Sequence, residues 1–209
     1  MIKNKNITYW IFVGVRVFST VLMAVTLYTG HWLGLFNASL TLFVTFLPNI
    51  LKKQWNITYP GEIWIVTLLF VMAALIFGEI FDFYYKFAAW DTILHTLSGF
   101  VIAMVAFIIV KQLNEDMDIR VTLSPFFTAL FAVCFSMAIA VVWEIFEYVM
   151  DMSFGTNMQK SGLVDTMEDL IVATIGALIV GLLGYLYLKH GNNNMVGRMI
   201  EKQEKNNIK

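Results

Sequence analysis

Six runs of mostly apolar residues fill the chain, each near the ~20 residues that a helix needs to cross the hydrocarbon core of a bilayer. They are Tyr9–Thr29, Trp32–Leu51, Ile63–Ile80, Trp90–Val110, Pro125–Met150 and Leu163–Leu188. Inside a bilayer every backbone N–H and C=O must find a partner within the segment, so runs of this kind are helices. The composition agrees. The chain is 59% hydrophobic and 14% charged, with a mean hydropathy of +0.72. Soluble domains carry about 25% charged residues, and a fold of 209 residues has too little interior to hide so much apolar surface. The expectation is an all-α, polytopic transmembrane helical bundle with about six spans. It comprises a single transmembrane domain over residues 1–189 and a polar, basic tail over 190–209. The connections are short, as between antiparallel neighbours in a bundle. Lys3 and Lys5 before the first run suggest a secretory leader. That run reaches Thr29 without a small-residue cleavage pattern, so it reads as an uncleaved first helix.

Cations orient the chain. Lys3, Lys5, Lys52, Lys53, Lys111, Arg120, Lys189, Arg198, Lys202, Lys205 and Lys209 fall on one side of the six runs, and only Lys86 and Lys160 on the other. Loops rich in Lys and Arg stay in the cytoplasm. Both termini are therefore expected to be cytoplasmic. Arg16 lies inside the first run, where a charge needs a partner from the bundle or must snorkel toward the cytoplasm.

The acids are distributed in the opposite sense. Glu115, Asp116 and Asp118 sit in a cytoplasmic loop, Glu201 and Glu204 in the tail and Glu62 at the cytoplasmic mouth of the third run, whereas the other nine, Glu79, Asp82, Asp91, Glu144, Glu147, Asp151, Asp165, Glu168 and Asp169, gather at the outer ends of the third to sixth runs. At 1.5 Å per residue, His95, Glu144 and Asp169 each lie roughly 7–9 Å below the outer boundary, at a common level. Asp91 and His95 are four residues apart, as are Asp165 and Asp169, and Ser98 continues the first face. Glu144, Glu147 and Asp151 form one stripe at i, i+3, i+7. A group of ionised carboxylates at that depth needs compensation. A bound cation, protonation of some of the acids, or Arg16 as counter-ion would each provide it. Carboxylates with one imidazole suit a divalent metal ion such as Zn, Mn, Fe, Mg or Ca, and the mixture does not choose among them. The candidate metal-site residues are Asp91, His95, Glu144, Glu147, Asp151, Asp165 and Asp169. Any one of these acids alone is equally explained by solvation at the interface or by a helix N-terminus.

The segments Trp90-Asp91-Thr-Ile-Leu-His95-Thr-Leu-Ser98-Gly99, Trp143-Glu144-Ile-Phe-Glu147-Tyr-Val-Met-Asp151 and Asp165-Thr166-Met-Glu-Asp169-Leu170 together resemble the YjdF-type family of small bacterial inner-membrane proteins. The likeness covers roughly Ile63 to Leu188. It implies a membrane fold and a shared acidic-histidine motif, and it names no substrate.

The remaining features read as structural. Phe81, Phe83, Tyr84, Tyr85, Phe87 and Trp90 form an interfacial aromatic belt. Ala173, Ala177 and Gly181 make a small-residue seam for close helix packing. His31 is a solvated turn residue, His190 closes a helix end, and Cys134 is a buried small hydrophobe that has no disulfide partner. Asn6, Asn37 and Asn56 stand in Asn-x-Ser/Thr triplets whose positions argue against glycosylation. Phosphate loops, dinucleotide fingerprints, Gly-x-Ser-x-Gly, His-Glu-x-x-His and nucleic-acid-type basic patches are absent from the sequence.

Three functions remain open. A metal-dependent hydrolase would activate water for a lipid-like or envelope substrate arriving from the outer leaflet. A cation- or proton-coupled transporter would use the acids as its ion site, with His95 as relay. A non-catalytic envelope scaffold, as an oligomer or with a partner, would use them for stability.

Overall fold

The computed structural model describes residues 2–55, 61–115, 123–191 and 194–207; Asn56, Asp116, Asp118, Arg120 and Lys209 lie outside these. Every regular element among the described residues is helical. They are α1 (Ile2–Thr29), α2 (Trp32–Val44), α3 (Leu47–Trp55), α4 (Gly61–Val71), α5 (Phe83–Lys86), α6 (Trp90–Glu115), α7 (Pro125–Phe154), α8 (Leu163–His190) and α9 (Met195–Asn207), with a π-helical continuation of α4 over Met72–Ile80.

Among the described residues, four segments are long and apolar enough to cross a membrane: Ile7–Thr29, Trp90–Lys111, Pro125–Phe154 and Leu163–His190. A fifth results if Trp32–Val44 and Leu47–Gln54, bent by 41°, count as one broken span, and the apolar helix Trp64–Ile80 is shorter. The count is thus four or five where the sequence suggested six, and both departures have local causes. In the second run, Pro48 has no N–H and its ring crowds the carbonyl four residues back, that of Val44, where α2 ends. The chain turns at Thr45 and Phe46, and the N–H groups of Asn49 and Ile50 both donate to the Phe46 carbonyl, at 3.0 and 3.1 Å. Arg16 covers the Thr45 carbonyl. Its Nη2 donates to Thr45 O at 2.9 Å, its Nε donates to Thr45 Oγ1 at 3.0 Å, and the guanidinium lies 4.4 Å from the Phe46 ring centre.

The third run is wound in part with i→i+5 hydrogen bonds, the geometry of a π-helix. It ends where Phe81 N–H donates to Ile76 O at 3.0 Å. Asp82 follows with φ of 61°, the only non-glycine residue with positive φ among the described residues. Asp tolerates that conformation better than most side chains. The aromatic stretch then packs on itself. Phe83 lies 5.4 Å from Phe77, 4.8 Å from Phe87 and 5.0 Å from Trp90, centre to centre, and Trp90 Nε1 donates to Ala73 O at 3.3 Å.

The chain divides into two compact units, residues 1–90 with 202–209, and residues 91–201. In the first, α1 and α4 share a core of Phe12, Val15 and Leu68, joined by Ile11, Trp64 and Met72. The α1–α2 turn is closed by His31, which is exposed and whose Nδ1 accepts from Gly34 N–H at 3.1 Å, capping α2. Asn37 is buried on α2.

In the second unit α7 starts at Pro125 behind Ser124, whose hydroxyl accepts from Phe127 N–H at 3.3 Å. It ends at Gly155, with φ of 65°. Its buried stripe of Thr128, Ala129, Ala132, Val133, Ser136 and Ala140 leaves Cys134 on the other face. Cys134 is therefore exposed, not buried as the sequence suggested. Ala173, Ala177 and Gly181 of α8 are buried, as a packing seam requires. Helices α6 and α8 approach so closely that a Cβ on Gly99 would strike the Ala173 carbonyl, and one on Gly176 would strike that of Thr96. The Ser136 hydroxyl donates to Gly99 O at 2.8 Å, drawing α7 to the same point. Beyond α8, Asn194 Nδ2 donates to Leu183 O at 2.8 Å, and Val196 and Ile200 on α9 are buried.

Candidate functional site

The close approach of α6 to α8 fixes what lies one turn away. Gly99 is four residues after His95, and Ala173 is four after Asp169, so the backbone contact brings those two side chains face to face. His95 Nε2 is 3.7 Å from Asp169 Oδ2 and 3.4 Å from Asp91 Oδ1, while its Nδ1 is 3.9 Å from Glu144 Oε1. One imidazole thus sits among carboxylates from α6, α7 and α8. The three residues expected at a common depth, His95, Glu144 and Asp169, are within reach of one another.

Asp91, His95 and Asp169 each offer one ligand atom, and these atoms all lie within 4.8 Å of one another. Bonds of ~2.0–2.2 Å to one ion would draw them closer together than that. The carboxylates are also poorly served by protein donors. Both oxygens of Glu144, Oδ2 of Asp169 and Oδ2 of Asp165 are buried without a hydrogen bond of good geometry among the described residues, although the Thr166 hydroxyl and the Gln159 amide lie beside Glu144. The Glu144 and Asp169 side chains are only 5% and 6% exposed. Burying a carboxylate without a partner costs several kcal/mol, and facing acids add repulsion, so a cation is the natural complement.

Glu147 shares the buried face of α7 with Glu144. The indole Nε1 of Trp143 donates to its Oε1 at 2.8 Å, and it lies within electrostatic reach of Glu144, His95 and Asp91. Asp151 has a different environment. Its Oδ1 accepts from the Thr156 hydroxyl at 2.6 Å and from Met158 N–H at 2.8 Å, and its Oδ2 accepts from Gln159 N–H at 2.9 Å. Both oxygens are occupied in shaping the loop between α7 and α8. Glu168 is exposed. Arg16, considered as a counter-ion, binds Thr45 within the first unit.

The counter-ion beside the cluster is Lys160. Its Nζ donates to Asp91 Oδ2 at 2.6 Å, with the lysine side chain 28% and the aspartate 16% exposed. Burial alone would lower the Lys160 ammonium pKa. The hydrogen bond and charge of Asp91, with Asp165 and Asp169 behind it, outweigh that and hold it above the usual lysine value. Neighbouring Gln159 ties the loop down, donating through Nε2 to Thr166 Oγ1 at 2.8 Å and to Glu144 O at 3.4 Å. Lys160, Gln159 and Trp143 were not singled out as site residues by the sequence. Lys160 did carry a signal, as one of two cations on the acid-rich side. The roles of Gln159 and Trp143 depend on loop and rotamer geometry that helical periodicity does not encode.

No solved structure matches the chain. A curated relative from Thermotoga maritima, named only "Uncharacterized protein", is 27% identical over 142 residues, covering 67% of this chain and 70% of its own length. Residues 8–190 match the family model described as "Predicted membrane protein (DUF2238)". That match runs from the first apolar helix to the end of α8 and takes in the whole cluster around His95, and the chain belongs to this family of membrane proteins.

Proposed function

We propose that the protein binds a divalent metal ion among Asp91, His95, Asp169 and Glu144, and uses it to activate water for hydrolysis of a lipid-like or envelope substrate. The observation that carries this reading is the set of buried, unpartnered carboxylate oxygens facing one imidazole. Asp91, His95 and Asp169 would be the three ligands that leave room for a water, the pattern of catalytic sites, with Glu144 beside them across the imidazole. Glu147, held by Trp143, is the proposed general base. Asp165 stands behind the ligands, and Asp151 serves the loop that carries Lys160 to Asp91. The metal would supply a bound water of lowered pKa.

In this reading the chain spans a bacterial plasma membrane six times, with the broken α2–α3 pair and the short Trp64–Ile80 helix each counted as a span. Both termini are cytoplasmic and the cluster opens toward the outer leaflet, as the eleven-to-two distribution of loop cations favours. Residues 1–189 act as one transmembrane domain, followed by a cytoplasmic tail. The likeness to YjdF-type proteins fits the same picture.

A cation-coupled transporter is the second reading, favoured by the break at Thr45–Phe46 under Arg16, because carriers use discontinuous helices. Reconstitution separates the two. Vesicles containing the protein and a panel of envelope phospholipids should release cleaved product only when supplied with Zn²⁺ or Mn²⁺, and His95→Ala should abolish that release. Metal-ion accumulation in the lumen without product release would replace the hydrolase with the transporter.

A further inference from the structure

The metal site proposed above already contains a cation of the protein's own. Lys160 Nζ sits 2.6 Å from Asp91 Oδ2 and within electrostatic reach of Asp165 and Asp169. Two of these three acids, Asp91 and Asp169, are also two of the three residues whose ligand atoms converge within 4.8 Å. The ammonium and a divalent ion therefore draw on the same carboxylates. Their mutual repulsion at such separations is large, because two like charges a few ångströms apart in a partly buried site are weakly screened.

We infer that Lys160 is a tethered stand-in cation: it neutralises the acidic site when no metal is bound, and an incoming divalent ion displaces its ammonium from Asp91. This rests on the metal-site reading and adds a competitor to it. The construction of the loop supports the role. Asp151 holds Thr156, Met158 and Gln159, and Gln159 in turn holds Thr166 and the Glu144 carbonyl. The lysine is thus delivered from a fixed base, while its own side chain is long and more exposed than the acid it covers. Displacement swings out one flexible side chain and leaves the loop in place. The arrangement would also keep the apo protein intact, since buried carboxylates would otherwise face each other across three helices with only His95 between them. The alternative, that Lys160 orients Asp91 for the metal as an outer partner, predicts the opposite sign on removal.

The test is calorimetric titration of the purified full-length protein with Zn²⁺ and with Mn²⁺, comparing wild type, Lys160→Gln and Lys160→Arg. The inference predicts that Lys160→Gln binds at least about tenfold more tightly at unchanged stoichiometry, while Lys160→Arg stays near wild type. Equal or weaker binding by Lys160→Gln overturns it and leaves the metal site standing. Binding by none of the three overturns both. A second readout uses wild type alone, in case Lys160→Gln does not fold. Saturating Zn²⁺ should speed modification of Lys160 by an amine-reactive reagent, read by peptide mass spectrometry, because displacement exposes the ammonium. An unchanged or slower rate overturns the inference.

Discussion

Asp151 and Asp169 belong to the same acidic group in the sequence, and the structure gives them different partners. Asp151 spends both oxygens on loop donors, whereas Asp169 keeps Oδ2 buried and unpartnered beside His95. Asp151→Asn turns one acceptor into a donor that faces Gln159 N–H. The expected cost is about 1–3 kcal/mol of stability, read as a lowered unfolding midpoint in detergent, with metal content retained. Asp169→Asn should lose the metal and unfold no earlier, since it relieves a buried charge. If Asp151→Asn loses metal as Asp169→Asn does, Asp151 is a ligand and the loop bonds are incidental. The faces of the cluster were legible because spacings of three and four residues place side chains on one side of a helix. The division of labour between Asp151 and Asp169 was not, because it depends on how residues 155–162 fold back.

At the scale of elements, the site exists because α6, α7 and α8 converge one turn below it. The seam on α8 was readable from Ala173, Ala177 and Gly181, but its counterpart Gly99 lies in a motif that drew attention for its charges. Gly99→Ala places a methyl group against the Ala173 backbone, which cannot yield as a flexible side chain would. It should cost about 1–3 kcal/mol by overpacking. Gly14, on α1, has nothing within 4 Å of an added Cβ, so Gly14→Ala should be neutral or stabilising. Paired thermal unfolding curves check this, and equal midpoints for the two variants would contradict the close approach. The α2–α3 break shows what periodicity misses. Hydropathy runs smoothly across Thr45, and the interruption comes from the backbone chemistry of Pro48. Arg16→Met would leave the Thr45 carbonyl without its guanidinium donor, at an expected cost of about 1–3 kcal/mol, measurable in the same unfolding assay.

For the whole molecule, an all-helical membrane protein followed directly from length and apolar content, whereas the span count did not. A broken helix and a short π-wound one both resemble ordinary spans in composition. The proposed topology is open to thiol labelling in a Cys134→Ser background. Asn157→Cys, in the loop before α8, should react with a membrane-impermeant reagent on intact cells, and Lys52→Cys only after permeabilisation. The reverse pattern would put the acidic cluster on the cytoplasmic side. The central claim, a metal ion among Asp91, His95, Glu144 and Asp169, is tested most directly by inductively coupled plasma mass spectrometry of protein purified without chelators, alongside His95→Ala and Glu144→Gln. The account predicts about one equivalent of a divalent metal in wild type and its loss in both variants. Wild type that holds no metal, even after dialysis against several divalent ions, would contradict it.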